Sequence, residues 1–295
     1  MMQLAEKKIT GLRWAIGLST FLAVIKGTAG FFCSSAALLA SALDSLMDIG
    51  ISAVNYVSVK KGAQPPDQDH AYGHEKIESL ASYTQGVVIL LFAFLILGET
   101  FRRTVVDSKV FHSGIALSVI LVAAAVNFLL TTILSRAEKE TGSLILKAEK
   151  AHYLMDVLSY ILIFCVILLV KFTGWNGWDI LGGIMLAIYV GFLASRILLQ
   201  AGNELVDRSL SKHSLDELDA VIKRHPGVES YHKLRTRKAG NRTFIDFHLE
   251  ISSEQSFEAA HEMTESLIEK IRLKFPDSDV LVHEDPRGAV DHVER

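Results

Sequence analysis

The amino-acid sequence predicts an α-helical membrane protein with six transmembrane helices, followed by a small α+β domain of element order αββαβ. Three observations predict it. Half of the 295 residues are hydrophobic and the mean hydropathy is positive, which is too apolar for a soluble domain of this length. The apolar residues gather into six runs in the first two-thirds of the chain. After about Asn203 the composition turns abruptly polar, which divides the chain into residues 1–202 and 203–295.

The predicted spans are Trp14 to Phe32, Leu38 to Val59, Leu80 to Leu97, Ile115 to Leu134, Tyr153 to Val170 and Leu181 to Leu199. Lys7, Lys8 and Arg13 precede the first, as in a signal peptide, but its length and the immediate second span predict a retained helix. All five prolines fall outside the spans, and the bilayer leaves backbone groups no partner outside a helix. With the N-terminus inside, the cytoplasmic segments hold Lys7, Lys8, Arg13, Lys60, Lys61, Lys76, Arg136, Lys139, Lys147 and Lys150. The opposite side holds Arg102, Arg103, Lys109 and Lys171. That asymmetry places both termini in the cytoplasm. Cys33 and Cys165 lie in or at the end of apolar runs with no CxxC neighbour, so we expect small buried residues and no thiolate metal site.

The tail carries 19 acidic and 14 basic residues. A net negative tail repels nucleic acid and anionic lipid and mildly attracts cations. SLDELDAVIKRH predicts a helix capped at Ser214, with Glu217 three residues on. GVESYHKLRTR and RTFIDFHLEIS predict strands joined by a KAGN turn, SFEAAHEMTESLIEKIRLKF a second helix, and DSDVLVHED a last strand. In the second strand Ile245, Phe247, Leu249 and Ile251 alternate onto one face, leaving Asp246, His248 and Glu250 on the other. His283 and Asp285 likewise share a side of the last strand. His112, His213, His225 and His292 read as surface residues.

Charges within the spans narrow the function. Asp44 and Asp48 sit inside the second run, and each carboxylate at a bilayer centre costs roughly 2.5–3.5 kcal/mol on the lenient insertion scale. His152 and Asp156 repeat the same i, i+4 spacing in the fifth, and that spacing puts each pair on one helix face. Two such faces apposed supply one imidazole nitrogen and three carboxylate oxygens, a donor set suited to a tetrahedral divalent ion. The bland alternative is that the acids pair with Lys26 of the first span or share protons. Absent thiolates disfavour copper(I), and mixed nitrogen and oxygen donors suit zinc, iron(II), cobalt(II) or cadmium. Between spans two and three, PPDQDHAYGHEKIE places Asp67, His70 and His74 in a DxxHxxxH pattern. It reads equally as a cytoplasmic ion site or as a polar loop before a helix.

DxxxD in span two, HxxxD in span five, the loop PxDxxHxYGHxKxE and a tail ending in HEDP together resemble the cation diffusion facilitator family, in its bacterial zinc and ferrous-iron efflux branch. The resemblance covers nearly the whole chain. It implies a homodimeric, proton-coupled exporter of Zn2+, with Fe2+ or Cd2+ as further substrates, in the bacterial inner membrane, and a metallochaperone-like cytoplasmic domain. It implies a transport site of Asp44, Asp48, His152 and Asp156, and a loop site of Asp67, His70 and His74. In the tail it implies a binuclear zinc site of His232, His248, His261, His283 and Asp285. A charge interlock at the dimer interface would fall on Lys76 and Asp207. Two other classes stay in view. A metal sensor without transport leaves the intramembrane carboxylates unexplained, and an intramembrane metalloprotease would need an open coordination position, whereas no HExxH is present.

Overall fold

The computed structural model describes residues 2–33, 36–105, 114–175, 177–252 and 254–288. His112, Lys109 and His292 lie outside them. The chain divides into two compact units, Met1–Gly202 and Asn203–Arg295.

The first unit is built from six long helices: α1 (Met2–Phe32), α2 (Ala36–Gly62), α3 (Lys76–Val105), α4 (Gly114–Thr141), α5 (Leu144–Thr173) and α6 (Gly177–Leu205). Five of them, all but α2, are by themselves long and apolar enough to cross a membrane. α2 is 27 residues long and carries the two aspartates within its length. Each helix outruns its predicted span at one end or both, because a helix continues past the hydrocarbon into the interface. α5 starts at Leu144, well before the expected Tyr153, which brings Glu149 and His152 inside it.

Two cores hold this bundle. Leu12 and Ala15 of α1 meet Val59 of α2, Leu130 and Leu134 of α4, and Ile145, Leu146 and Tyr153 of α5. Ile89 and Ala93 of α3 pack with Ala148, Ala151 and Met155 of α5 and Val190, Ala194 and Ile197 of α6. The small residues in the second core let the helix backbones approach closely, as membrane packing favours. Phe94, Leu95, Phe128, Met185 and Ile188 face outward, as a lipid-facing surface requires. Cys165 is exposed on that surface and Cys33 half-buried, so neither fills a core as expected. Near the N-terminus of the bundle Lys8 of α1 donates to both carboxylate oxygens of Glu78 of α3, at 2.7 and 3.0 Å, and both side chains are buried.

The second unit contains α7 (Lys212–Lys223), β1 (Ser230–Ala239), β2 (Arg242–Ile251), α8 (Phe257–Lys274) and β3 (Ser278–Pro286), the predicted order. The sheet runs β1-β2-β3, antiparallel between the first two and parallel between the last two. Its apolar face, with Ile245, Phe247, Leu249 and Val280, is covered by Leu218 and Ile222 of α7 and Leu267 and Ile271 of α8. The cap of α7 is Ser211, whose side chain accepts from the Ser214 amide; Ser214 itself is one turn inside. The hydroxyl one turn earlier wins because Lys212 and His213 are compatible with the helix. His225 is buried, not at the surface as expected: its Nδ1 lies 2.9 Å from the Pro226 carbonyl and its Nε2 3.2 Å from Ser266 of α8. His213 is exposed.

Candidate metal sites

The intramembrane constellation forms where side chains of α2 and α5 meet. One ligand atom from each of Asp48, His152 and Asp156 falls within a 4.8 Å group. His152 Nε2 stands 2.7 Å from Asp48 Oδ1, and Asn127 of α4 donates from Nδ2 to Asp156 Oδ2 at 3.0 Å. Two buried atoms here have no hydrogen-bond partner, His152 Nδ1 and Asn127 Oδ1. The structure does not bring Asp44 into this group. It is exposed, and its place four residues before Asp48 sets it about 6 Å further along α2. Lys26 donates to Ser45 at 2.9 Å, with the Tyr160 hydroxyl at 3.4 Å, so its shortest contacts are with hydroxyls and not with the acids. Its charge still acts electrostatically on Asp156, Asp48 and Asp44.

In the loop between α2 and α3 the three candidates do converge. Asp67 Oδ1 accepts from the backbone amides of Asp69 and His70, at 3.0 and 2.7 Å, which turns the chain back on itself. His70 Nδ1 and His74 Nε2 each lie 3.2 Å from Asp67, with their rings 4.6 Å apart. The His70 backbone hydrogen bond, reinforced by the two imidazoles, holds the Asp67 carboxyl below the usual carboxylate range. His74 Nδ1 is buried without a partner.

The tail cluster follows from sheet register. His232 of β1 pairs with His248 of β2, which pairs with His283 of β3, so three imidazoles stand in one row across the polar face. Asp285, two residues beyond His283, reaches back diagonally. Its Oδ2 lies 2.8 Å from His248 Nδ1 and 3.4 Å from His232 Nε2, and its Oδ1 lies 3.2 Å from His283 Nε2. His232, His248 and Asp285 bring ligand atoms within 4.8 Å of one another, a donor set that fits zinc, whereas His283 lies outside that group, against the second oxygen of Asp285. A β-bulge follows His232, where Lys233 takes a left-handed φ of 51°. Such bulges re-aim neighbouring side chains.

One expected tail ligand stands apart. His261 is on α8, stacked on Phe257, and does not join the sheet cluster. Its helix packs on the apolar face, whereas the cluster occupies the polar one. Glu250 had no expected role, yet its Oε1 lies 3.5 Å from His232 Nδ1. Its alternation with His248 on β2 was the available signal. Asp207 follows α6 with a left-handed φ of 56° and lies 3.3 Å from Arg237. Lys76 opens α3 in the first unit.

Sequence reasoning missed four further groups, Asn127, Lys8, Glu78 and Glu149, whose partners lie on other helices and which no spacing rule links.

Residues 12–206 match the cation efflux transmembrane domain, and residues 210–287 match the cation efflux protein cytoplasmic domain. A cation-efflux pump FieF from Shewanella oneidensis is 31% identical over 274 residues, covering 93% of this chain and 92% of the relative. The FieF pump of Shigella flexneri is 32% identical over 279 residues, covering 94% and 92%. Protein p34 from Rickettsia prowazekii is 28% identical over 279 residues, covering 95% and 92%. The solved metal-bound C-terminal domain of the CzcD transporter from Thermotoga maritima is 30% identical, with a TM-score of 0.26, covering 28% of this chain and 100% of that one.

Proposed function

Because this chain belongs to the cation efflux family, we propose that it exports Zn2+ from the cytoplasm in exchange for protons, and that Fe2+ and Cd2+ follow the same path. It is an integral membrane protein of divalent metal efflux and not an enzyme. The observation that carries the finer reading is the convergence of Asp48, His152 and Asp156 from two membrane helices onto one small volume. Three carboxylates with Asp44, offset by the Lys26 ammonium, leave a net charge that one divalent ion balances. Asp44, one turn from Asp48 on α2, is the fourth ligand in this reading.

Protons and metal compete for the same atoms, because the imidazole must be neutral and the carboxylates ionised to bind. The reference pKa of histidine, roughly 6.5, makes His152 the natural exchange partner near cytoplasmic pH. The site faces the cytoplasm, captures an ion, and opens to the other side, where incoming protons displace it. Asn127 holds Asp156 in place meanwhile. The imidazole selects against hard cations. Lys and Arg asymmetry puts both termini in the cytoplasm, and a bacterial inner membrane is the setting.

The tail dimerises two copies of the chain. His232, His248, His283 and Asp285 would hold zinc there, screening acidic charge and biasing the conformational equilibrium of the transporter toward export when cytoplasmic metal rises. His261 and the Lys76–Asp207 interlock belong to the dimer in this reading. Asp67, His70 and His74 would hold an ion at the cytoplasmic mouth.

Equilibrium zinc binding to the detergent-solubilised chain tests the transport site. Asp48→Ala should remove one class of bound zinc while leaving the loop and tail classes. Unchanged stoichiometry and affinity would rule out a zinc site between α2 and α5.

A further inference from the structure

Glu149 of α5 is a carboxylate 1% exposed whose hydrogen-bond partners are all neutral. It accepts from the Ser52 hydroxyl, from Asn55 Nδ2 at 2.5 Å and, across from α3, from Gln85 Nε2 at 2.9 Å. Ser52 lies 3.1 Å from the Tyr153 phenol, which in turn reaches Ser19 of α1 at 2.9 Å. Its partners include none of the four transport-site residues. Its position is nonetheless tied to them. On α2, Ser52 is one turn toward the cytoplasm from Asp48; on α5, Glu149 is one turn toward the cytoplasm from His152. The contacts Asp48–His152 and Ser52–Glu149 are therefore successive rungs between the same two antiparallel helices.

The charged and titratable groups around Glu149 are few. α2 brings Asp48 and Asp44, α5 brings His152, Asp156 and the Tyr153 phenol, α1 brings Lys26 two rungs away, and α3 faces it with the Gln85 amide. An ionised carboxylate in a dry membrane interior, without a cation of its own and below three further carboxylates, is strongly disfavoured. A divalent ion on the next rung reverses that field.

We propose that Glu149 is a proton-carrying residue of the exchange path, protonated while the transport site is empty and deprotonated when a divalent cation fills the rung above it. This rests on the antiport reading and adds a proton site outside the metal ligands. In the step itself the carboxyl O–H bond breaks and its electron pair stays on the carboxylate. The proton passes to the Ser52 hydroxyl as Ser52 gives its own to the Tyr153 phenol and Tyr153 gives its own to Ser19, and solvent water beyond that hydroxyl chain takes the last proton. The ionised form is then held by the three donors already in place, so little rearrangement is needed.

The test is the number of protons released when zinc binds the full chain, measured calorimetrically in buffers of different ionisation enthalpy. Loop and tail sites contribute equally to natural and variant proteins. Glu149→Gln should release about one proton fewer per transport-site ion and bind zinc at that site about 10-fold or more weakly at the same pH, because ion and proton binding are reciprocally linked, and Glu149→Asp should restore the release. Equal release from natural protein and Glu149→Gln, with gradient-driven zinc flux intact, would overturn this proposal alone. Absence of any gradient dependence in the natural protein would overturn it together with the antiport reading. If Glu149→Gln does not fold, infrared difference spectra decide. Zinc should abolish a protonated-carboxyl band in the natural protein, at a frequency that Glu149→Asp shifts; a band that Glu149→Asp leaves unmoved would overturn the proposal.

Discussion

Lys8→Met should destabilise the membrane unit far more than loss of a surface charge would. The Lys8 ammonium donates to both oxygens of Glu78, at 2.7 and 3.0 Å, and the two side chains are 5% and 9% exposed. Methionine fills the volume but leaves the carboxylate buried, with Ser143 at 3.5 Å as its remaining side-chain partner. Breaking one side of such a buried pair costs about 3–5 kcal/mol, against about 0–1 kcal/mol for an exposed pair. That is roughly a 150- to 4,000-fold change in the folding equilibrium. Removing both charges, as in Lys8→Met with Glu78→Leu, should recover most of the loss, because an apolar replacement of similar volume avoids desolvating either ion. Denaturant titration in mixed micelles, followed by far-UV circular dichroism, measures all four corners of the cycle. A single-variant loss below about 1 kcal/mol would show that the pair behaves as a solvated one. A double variant no more stable than the single one would show that the carboxylate is not what suffers.

Other expectations concern the sites. His152→Asp should relax selectivity toward manganese, since an all-oxygen set no longer disfavours harder ions; competition between zinc and manganese in flux assays checks it, and unchanged preference would remove His152 as the filter. Asp285→Asn should weaken zinc binding to the tail by at least about 10- to 100-fold, because one carboxylate serves three imidazoles; calorimetric titration of the full chain would expose an equal affinity. The tail should also lose stability in alkali. Burial and the hydrogen bond to Asp219 push the Tyr231 phenol up to about 12. An unfolded tyrosine ionises near pH 10, so between the two values the unfolded chain has given up a proton that the folded chain keeps. Stability present below pH 10 is therefore lost as pH rises toward 12, and Tyr231→Phe should flatten that part of the melting profile.

What the sequence made legible follows from periodicity. Apolar runs of membrane length, i, i+4 pairs and strand alternation are local signals, and they correctly anticipated the helical membrane domain and the αββαβ tail. The convergence of His232, His248 and His283 was only partly legible: alternation put His248 on a polar face and His283 on one side with Asp285, but the row they form depends on cross-strand register and on the bulge at Lys233. Glu149 was hidden by a boundary. Set between Lys147 and Lys150, before a span expected at Tyr153, it was given no role, whereas α5 begins at Leu144 and turns it inward. His225 was misjudged because its burial is made by Ser266, 41 residues away on another helix. Lys8 and Glu78 are 70 residues apart, and no spacing rule links them.

The central claim is tested most directly by zinc flux into proteoliposomes under an imposed pH gradient, comparing the natural sequence with Asp48→Ala. The account predicts flux that follows the gradient, reverses when the gradient is inverted, and disappears in the variant. Zinc flux of equal size with no gradient, or flux that survives Asp48→Ala in a folded protein, would contradict it.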